Sequence, residues 1–243
     1  MKINNPKNRF DLNIKKTDYV LEVGGGHNPH PRANVVVDKY VDDNTHRSGD
    51  LNVGKNQVFI QAEGESLPFK DNEFDYVICS QVLEHASNPS AFMDELFRVG
   101  KKGYLETPSL IGEYLFPKDS HSWVILEINN RICVVRKSDV FSKSNIDFGD
   151  LFLEILPRWS LAYKLVQATI PNIETVRYEW LNEIEYKVDN FSDQELIYFN
   201  SNWTFEMYKE NLHLRTLKNE FVFVIKALVH LFISYLRKGF RRN

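Results

Sequence analysis

The fold is indicated first by Val20-Leu-Glu-Val-Gly-Gly-Gly-His27, a short apolar run that ends in three glycines. An apolar run of this length, followed directly by glycines, predicts a buried strand that opens into a loop. Glycines after a buried strand let the backbone approach a ligand that side chains would exclude. The segment therefore predicts a ligand site at the carboxyl end of a strand.

Further short apolar runs follow the glycines, at residues 34–38, 57–61, 74–79 and 104–106. Between the last two, Pro89 to Arg98 has helical spacing, with its large apolar side chains on one side. Strands that alternate with connectors predict an α/β layer fold whose sheet is mostly parallel and flanked by helices.

The pattern changes after Pro108. Residues 123–126 and 132–135 flank Asn129-Asn130, which predicts a hairpin. We expect a second hairpin from residues 175–180 and 184–188, and helices over 138–170 and 191–217. This predicts three parts: a core over 1–108, a region over 109–217 that completes the sheet and covers the acceptor site, and a basic C-terminal helix over 218–243.

Composition limits the class of protein. The 243 residues are 43% hydrophobic and 26% charged, which is enough apolar material for one well-buried domain. Two cysteines, Cys79 and Cys133, are too few for a disulfide framework or a cysteine zinc site, and they suit a reducing cytosol. The first residues contain no apolar run of the secretory type, so we expect a cytoplasmic protein.

Charge is divided unevenly along the chain. Residues 218–243 carry a net charge of +5, and the remainder carries −8 of the total of −3. An acidic main body gives no electrostatic reason to expect nucleic-acid binding.

Two carboxylates complete a candidate nucleoside site. Asp38 ends the second strand and can accept hydrogen bonds from ribose hydroxyls, and Glu63 follows the third strand and can accept from an adenine amine. A dinucleotide site instead requires G-x-G-x-x-G, and Pro29 stands where its third glycine belongs. Asp38 also follows sooner than the roughly 20 residues expected. The pattern therefore favours one adenosine over a dinucleotide.

The chain resembles the class I S-adenosylmethionine-dependent methyltransferases, in particular the type 11 group with the ubiquinone/menaquinone-type and small-molecule enzymes. The matching residues are Leu21–Gly26, Val36–Asp38, Glu63–Phe69, Phe74–Ser80, Val82–His85 and Glu95–Gly103. The resemblance covers roughly residues 18–108. It implies a Rossmann-like sheet, S-adenosylmethionine as cofactor and S-adenosylhomocysteine as product.

The resemblance also implies roles for single residues. Glu22 and the backbone of Gly24, Gly25 and Gly26 would shape the methionine pocket, and Asp38 would hold the ribose. Glu63 would address the adenine together with the backbone of Ala62 and Gly64. Ser80 and Gln81 would line the methionine end and the entrance.

The chain departs from the family between the glycines and the second strand. Only residues 27–33 separate them, and Pro29 and Pro31 exclude a regular helix there. Methyltransferases associated with surface-polysaccharide gene clusters look similar in this loop, in Asn44–Leu51 and in Glu106–Ser109. This resemblance implies a role in polysaccharide biosynthesis.

Transfer of a methyl group to a hydroxyl benefits from a base. We favour His121, which follows the fifth strand beside Trp123, a candidate surface for a sugar ring; Glu113, Asp119 and His85 are alternatives. His85 has helix packing or capping as its expected role. No ligand spacing in the sequence predicts a metal site.

The C-terminal segment has its own pattern. Residues 221–236 are apolar except for Lys226, His230 and Ser234, which predicts a helix with one narrow polar stripe. These 16 residues reach about 24 Å, short of the roughly 30 Å of a hydrocarbon core. Two alternatives remain for the docking of residues 219–241. The helix lies on a membrane surface, or it packs against the body of this protein or a dimer mate.

The expected function is O-methylation of a sugar in a surface glycan or glycolipid precursor, in the cytoplasm or at the inner face of the membrane. The expected partner is a small-molecule or glycan acceptor. A quinone-like or other small lipid acceptor is an alternative, and so is a non-catalytic protein that binds S-adenosylmethionine or assembles at the membrane.

Overall fold

Strands and helices alternate along the chain in a computed structural model that describes residues 1–6, 9–43, 49–140, 148–170 and 172–239. The strands are β1 (Lys2–Asn4), β2 (Val20–Val23), β3 (Val35–Asp38), β4 (Val58–Gln61), β5 (Tyr76–Ser80), β6 (Lys102–Pro108), β7 (Trp123–Ile128), β8 (Arg131–Arg136), β9 (Thr175–Leu181) and β10 (Tyr186–Val188). The helices are α1 (Pro89–Val99), α2 (Leu110–Leu115), α3 (Lys137–Val140), α4 (Leu156–Trp159), α5 (Leu161–Thr169), α6 (Asp193–Asn200), α7 (Phe205–Asn211) and α8 (Leu217–Gly239). A 3-10 turn spans Leu83–His85, and a π-helical segment spans Asp150–Ile155.

The large sheet has the strand order β1-β9-β6-β5-β2-β3-β4. Its strands β6, β5, β2, β3 and β4 are parallel, whereas β9 is antiparallel to β6 and β1 is antiparallel to β9. The chain moves outward one way from β2 through β4, and the other way from β5 to β6. The carboxyl ends of β2 and β5 therefore meet at a switch point, where sheets of this kind open a crevice for ligands. The predicted α/β fold with a mostly parallel, Rossmann-like sheet is confirmed.

The central strands are apolar because both faces of the sheet are covered. All of β2, and Val35–Val37 of β3, are buried. The short loop between these two strands forms no helix, as its prolines predicted. Asn34 closes the loop, because its side chain accepts a hydrogen bond from Val20 N at 2.9 Å.

Helix α1 covers one face of the sheet and confirms the predicted helix. The Asn88 side chain caps its first turn by accepting a hydrogen bond from Ala91 N at 3.1 Å, and Pro89 suits the first helical position. Phe92 and Leu96 are buried against the core, and each contributes about 1.5–3 kcal/mol by burial.

The hairpin of β7 and β8 is also confirmed. Asn129 and Asn130 have φ angles of 53° and 61°, which suit the tight turn that joins antiparallel strands.

The second predicted hairpin is wrong. Residues Thr175–Leu181 pair with the full length of β6 and enter the large sheet, where Val176, Tyr178 and Trp180 are buried. Strand β10 instead runs parallel to β8 in a smaller sheet of order β10-β8-β7. The apolar alternation of 175–180 therefore reflects burial in the main core and not pairing with its neighbour in sequence.

The predicted helical stretches are divided into short helices. Within 138–170 the described residues form α3, the π-helical segment, α4 and α5, and residues 141–147 lie outside the described part. Within 191–217, Ser192 and Thr204 begin α6 and α7 as separate caps, so the chain bends between them.

Helix α8 confirms the predicted C-terminal helix as far as Gly239 and packs against α5, while residues 240–243 lie outside the described part of the chain. Ala227 is buried, and the Arg215 guanidinium lies 3.8 Å from the centre of the Phe223 ring. The opposite side exposes large apolar side chains: Leu217, Phe221, Val222, Ile225, Leu228, Val229, Phe232 and Ile233. In the part of the chain that the structure describes, no helix combines the length and the apolar composition needed to cross a bilayer.

Candidate cofactor site

A cavity of about 360 Å³ opens at the carboxyl ends of β2, β3 and β5. This volume lies within the range of small-molecule sites, about 300–1,000 Å³. The predicted site residues that line it are Gly24, Gly25, Gly26, Asp38, Ala62, Gly64, Ser80, Gln81 and His121. A wider hollow of about 870 Å³ lies beside β1 and α8, and none of the predicted site residues is among those that line it.

The backbone of the glycine loop adopts a conformation that residues with a side chain rarely adopt. Gly24 and Gly26 have φ angles of +73° and +54°, in the left-handed region. A Cβ on Gly24 would lie 2.2 Å from a methyl group of Val82, so a side chain would also have no room there. The loop therefore presents bare backbone to the cavity.

Asp38 is held at the end of β3 by two backbone donors. One carboxylate oxygen accepts from Gly26 N at 3.1 Å, and the other accepts from Tyr40 N at 2.9 Å. These bonds join the carboxylate to the glycine loop and fix its direction. Each oxygen retains a second lone pair, so the group suits the predicted contact with ribose hydroxyls.

Glu63 does not line the cavity, although its neighbours Ala62 and Gly64 do. Its side chain is 58% exposed and pairs with Lys39 at 3.1 Å. The backbone on either side of Glu63 thus reaches the cavity, and the contact of its carboxylate with adenine stays a prediction.

Glu22 is buried behind the glycine loop and is also absent from the cavity wall. Its carboxylate accepts a hydrogen bond from Arg9 Nη2 at 2.7 Å and another from the backbone N–H of His30. Burial raises the pKa of Glu22 to about 7, against the attraction of Arg9 and the bond from His30. In this structure Glu22 ties the loop to the N-terminal segment, and its role at the methionine moiety stays a prediction.

Ser80 and Gln81 lie where β5 ends at the cavity. Gln81 has a φ angle of 60°, an uncommon conformation that places its backbone N–H 2.8 Å from the carbonyl oxygen of Glu106. The Ser80 hydroxyl donates to the Glu106 carboxylate at 3.0 Å. Strained residues of this kind cluster at functional sites.

His121 reaches the same cavity from the loop between α2 and β7. Its Nδ1 lies 2.7 Å from a carboxylate oxygen of Glu113, whose other oxygen bonds to Lys137 Nζ. Burial alone would raise the pKa of Glu113, but hydrogen bonds and charge from His121 and Lys137 outweigh it and hold that pKa below its usual range. Glu113, an alternative base in the sequence, is therefore the partner that orients His121.

The predicted role of Trp123 is wrong. The indole is buried, its N–H donates to the Ala86 carbonyl at 2.7 Å, and the Arg136 guanidinium lies 4.6 Å from its ring centre. Trp123 therefore presents no free face to a sugar.

Sequence reasoning missed a cluster at one end of the cavity. Glu84 and His85 lie in the 3-10 turn after β5, and the His85 and His121 ring centres are 4.8 Å apart. Burial raises the pKa of Glu84 to about 8. The adjacency of Glu84 and His85 was visible in the sequence, but the approach of His121 is a tertiary contact that no local pattern indicates. The chain also places Arg9 and Lys118 on the cavity wall.

Comparisons with known proteins match parts of this chain. Residues 34–105 match the model of a family described as a methyltransferase domain. A 44-residue stretch is 52% identical to an uncharacterized protein of Methanocaldococcus jannaschii, over 18% of this chain and 22% of that protein. A 63-residue stretch is 36% identical to an uncharacterized methyltransferase of Mycobacterium tuberculosis, over 26% of this chain and 25% of that protein.

Among solved structures, a methyltransferase of Methanosarcina mazei described as S-adenosylmethionine-dependent is 23% identical, covers 38% of this chain and 53% of its own, and has a TM-score of 0.30. The chain spans about a quarter of the length of the two curated relatives. The family match begins just before β3 and ends in β6, so it contains Asp38, the segment Ala62–Gly64 and Ser80. Residues 34–105 are therefore similar to a methyltransferase domain, and this similarity supports S-adenosylmethionine as the cofactor.

Proposed function

We propose that the whole protein transfers a methyl group from S-adenosylmethionine to a hydroxyl of a polar acceptor. One observation carries the proposal: the bare glycine loop, the fixed carboxylate of Asp38 and the imidazole of His121 line a single cavity. The loop and Asp38 have the chemistry to hold an adenosyl group, and His121 has the chemistry to act on an acceptor.

The residues present fit this cofactor. The left-handed glycine loop presents bare backbone to the cavity, and each Asp38 oxygen keeps a lone pair for a ribose hydroxyl. The backbone of Ala62 and Gly64 would flank the adenine, and Ser80 and Gln81 would lie near the methionine end. The bound cofactor supplies an electrophilic methyl group, whose transfer forms a C–O bond and leaves the electron pair of the broken C–S bond on sulfur.

The protein then contributes position and activation. Holding the acceptor oxygen in line with the methyl group can lower the barrier by several kcal/mol. We propose that His121 activates the acceptor hydroxyl, because Glu113 binds its Nδ1 and leaves its Nε2 as the second nitrogen of the ring.

We propose a sugar of a surface glycan or its precursor as the acceptor. Support comes from the resemblance of the proline-containing loop to methyltransferases of polysaccharide gene clusters, and from the polar side chains of Lys118, His85 and His121 at one end of the cavity. The resemblance in Asn44–Ser48 lies outside the described residues. The exposed apolar face of α8 supports a position at a membrane surface, where a lipid-linked glycan would be met.

The function is tested by methyl transfer from labelled S-adenosylmethionine to nucleotide sugars, lipid-linked saccharides and quinols. We expect transfer to a saccharide hydroxyl. Transfer to quinols alone would contradict the proposed acceptor, and no transfer to any of them despite tight cofactor binding would favour a non-catalytic protein.

His121→Ala should lower turnover at least about 100-fold, because an activating group is worth that much. Its affinity for S-adenosylhomocysteine should change less than about threefold, since the imidazole is proposed to act on the acceptor. His230→Ala, a histidine of α8 outside the cavity, is the matched control with a soluble acceptor. Unchanged turnover in His121→Ala would remove that residue from the mechanism.

A further inference from the structure

Three side chains with metal-ligating atoms meet at one end of the cavity. Glu84, His85 and His121 each offer one such atom, and these atoms all lie within 4.8 Å of one another. All three residues also line the cavity. The sequence predicted no metal site, because only Glu84 and His85 are neighbours in the sequence and His121 lies far from them along the chain.

Glu84 is the least expected member of this cluster. It is 1% exposed, and neither of its carboxylate oxygens has a hydrogen-bond partner among the residues that the structure describes. Burial of a carboxylate without hydrogen bonds or a counter-ion is costly, and proteins avoid it unless the group pairs with a cation or a metal. The carboxylate oxygens of Glu84 can therefore coordinate a cation.

Both histidines are oriented as metal-binding histidines usually are. His121 Nδ1 bonds to the Glu113 carboxylate at 2.7 Å, and His85 Nδ1 lies 2.9 Å from the carbonyl oxygen of Ser120. An acceptor on Nδ1 fixes the tautomer in which that nitrogen carries the proton and Nε2 carries the lone pair. His85 Nε2 lies 4.0 Å from the nearer Glu84 oxygen.

We propose that Glu84, His85 and His121 bind one divalent transition-metal ion at the acceptor end of the cavity. Two imidazoles and one carboxylate suit Zn²⁺, Co²⁺, Mn²⁺ or Fe²⁺, and three protein ligands leave a position open for an exogenous oxygen. Bonds of about 2.1 Å require ligand atoms about 3.4 Å apart around a tetrahedral ion. The present atoms lie within 4.8 Å of one another, so side-chain rotations that close the cluster by at most about 1.4 Å are sufficient.

The use of this ion in catalysis rests on the proposed methyltransferase function. An ion here would polarise the oxygen of an acceptor hydroxyl, which then gives its proton to water and forms the bond to the methyl carbon as the C–S bond breaks. His121 would thus activate the acceptor as a ligand of the ion. Binding of the ion itself requires no methyl transfer.

The test is a titration of the chelator-treated full-length protein with Co²⁺, followed by visible absorption and by calorimetry. We expect saturation at one ion per chain, with the strong absorption of a four- or five-coordinate site. Glu84→Gln and His85→Ala should weaken binding at least about 100-fold, and Glu113→Gln about 10–100-fold through the orientation of His121. His230→Ala, which removes a histidine outside the cluster, should bind as the wild type does.

Absence of saturable Co²⁺ binding by the wild type would overturn the proposal. So would equal binding by the wild type, Glu84→Gln and His85→Ala. If the variants fail to fold, diffraction data from wild-type crystals grown with Co²⁺, collected at the cobalt edge, decide the matter. A peak among the three side chains supports the site, and a peak only elsewhere overturns it.

S-adenosylhomocysteine binding, measured on the same samples, separates this proposal from the proposed function. Binding of S-adenosylhomocysteine without Co²⁺ binding would overturn the metal site alone. Binding of Co²⁺ to the three residues without affinity for S-adenosylhomocysteine would support the metal site and contradict the methyltransferase.

Discussion

At the scale of the residue, the two carboxylates singled out in the sequence have different surroundings. Asp38 is fixed by two backbone donors on the wall of the cavity, whereas the Glu63 side chain points out to Lys39. The position of each acid at the end of a strand was predictable from the sequence, because the ends of the strands were themselves predictable. The direction of each side chain was not, since it depends on which backbone N–H groups the fold brings near it.

This difference predicts unequal losses of cofactor affinity. Asp38→Asn should weaken S-adenosylhomocysteine binding about 10–100-fold, the value of one or two hydrogen bonds to a charged group. Glu63→Gln should weaken it less, because its carboxylate is exposed and outside the cavity wall. Isothermal titration calorimetry measures both, with Asp71→Asn as control, because Asp71 is exposed and does not line the cavity. A larger loss in Glu63→Gln than in Asp38→Asn would contradict the described geometry.

Glu22 gives a prediction for stability against pH. Its pKa is near 4.5 in an unfolded chain and about 7 in the native protein, because burial disfavours its charge. The native state therefore binds the extra proton between these values, and the stability contributed by Glu22 is lost as pH rises from about 4.5 through about 7. The loss is up to about 3 kcal/mol.

Urea denaturation of the wild type and of Glu22→Gln at pH 5 and pH 8 measures this effect. The difference in unfolding free energy, wild type minus variant, should fall between the two pH values, since glutamine does not titrate. Comparing the two proteins cancels the titration of His30 and other groups. An equal difference at both pH values would show that Arg9 compensates the burial of Glu22 fully.

Helix α8 was predictable in its form but not in its partner. Its helical period and polar stripe were readable from Lys226 and His230, and the structure confirms the helix. Its partner was not readable, because an apolar stripe looks the same whether it meets protein or lipid. Among the side chains described up to Ile233, Phe223 and Ala227 lie on the side packed against the rest of the protein, whereas Phe221 and Phe232 remain 68% and 63% exposed.

We predict that this exposed face binds anionic lipid surfaces. Phe221→Glu/Phe232→Glu should reduce co-sedimentation with vesicles of anionic lipid at least about tenfold. The reason is that the membrane contact would lose two aromatic side chains that lipid would otherwise bury. Asn219→Glu/His230→Glu adds the same charge outside the apolar face and should reduce it less. Wild-type protein that stays in the supernatant but sediments as a dimer in the ultracentrifuge would contradict lipid binding and favour a dimer contact.

At the scale of the whole molecule, the parallel part of the sheet was predictable and its far edge was not. Strands β2 to β6 are apolar runs that alternate with polar connectors along the chain, so pattern and order together predict the sheet. Strand β9 joins this sheet across more than 60 residues of chain, and β10 leaves its neighbour to pair with β8. Such long-range pairings depend on which buried surfaces fit together, for which local sequence carries no pattern.

The candidate site was likewise predictable only where it follows the parallel strands. The glycine loop, Asp38 and Ala62–Gly64 follow consecutive strands of the parallel sheet, so their meeting at one edge was expected. Glu84 and His85 follow β5, whereas His121 lies in the loop before β7. Hydrogen bonds of His121 to Glu113 and of Ser122 N to the Glu84 carbonyl oxygen hold that loop in place. The cofactor side of the cavity was therefore predictable from local sequence, whereas most of the acceptor side depends on tertiary structure.

The most direct test is a crystal structure of the full-length protein with S-adenosylhomocysteine. We expect the ligand in the proposed site, the cavity at the ends of β2, β3 and β5, with both ribose hydroxyls on Asp38 and the sulfur facing the end that holds His121. A ligand bound in the wider hollow beside β1 and α8, or an adenosyl group with no contact to Asp38 and the glycine loop, would contradict it.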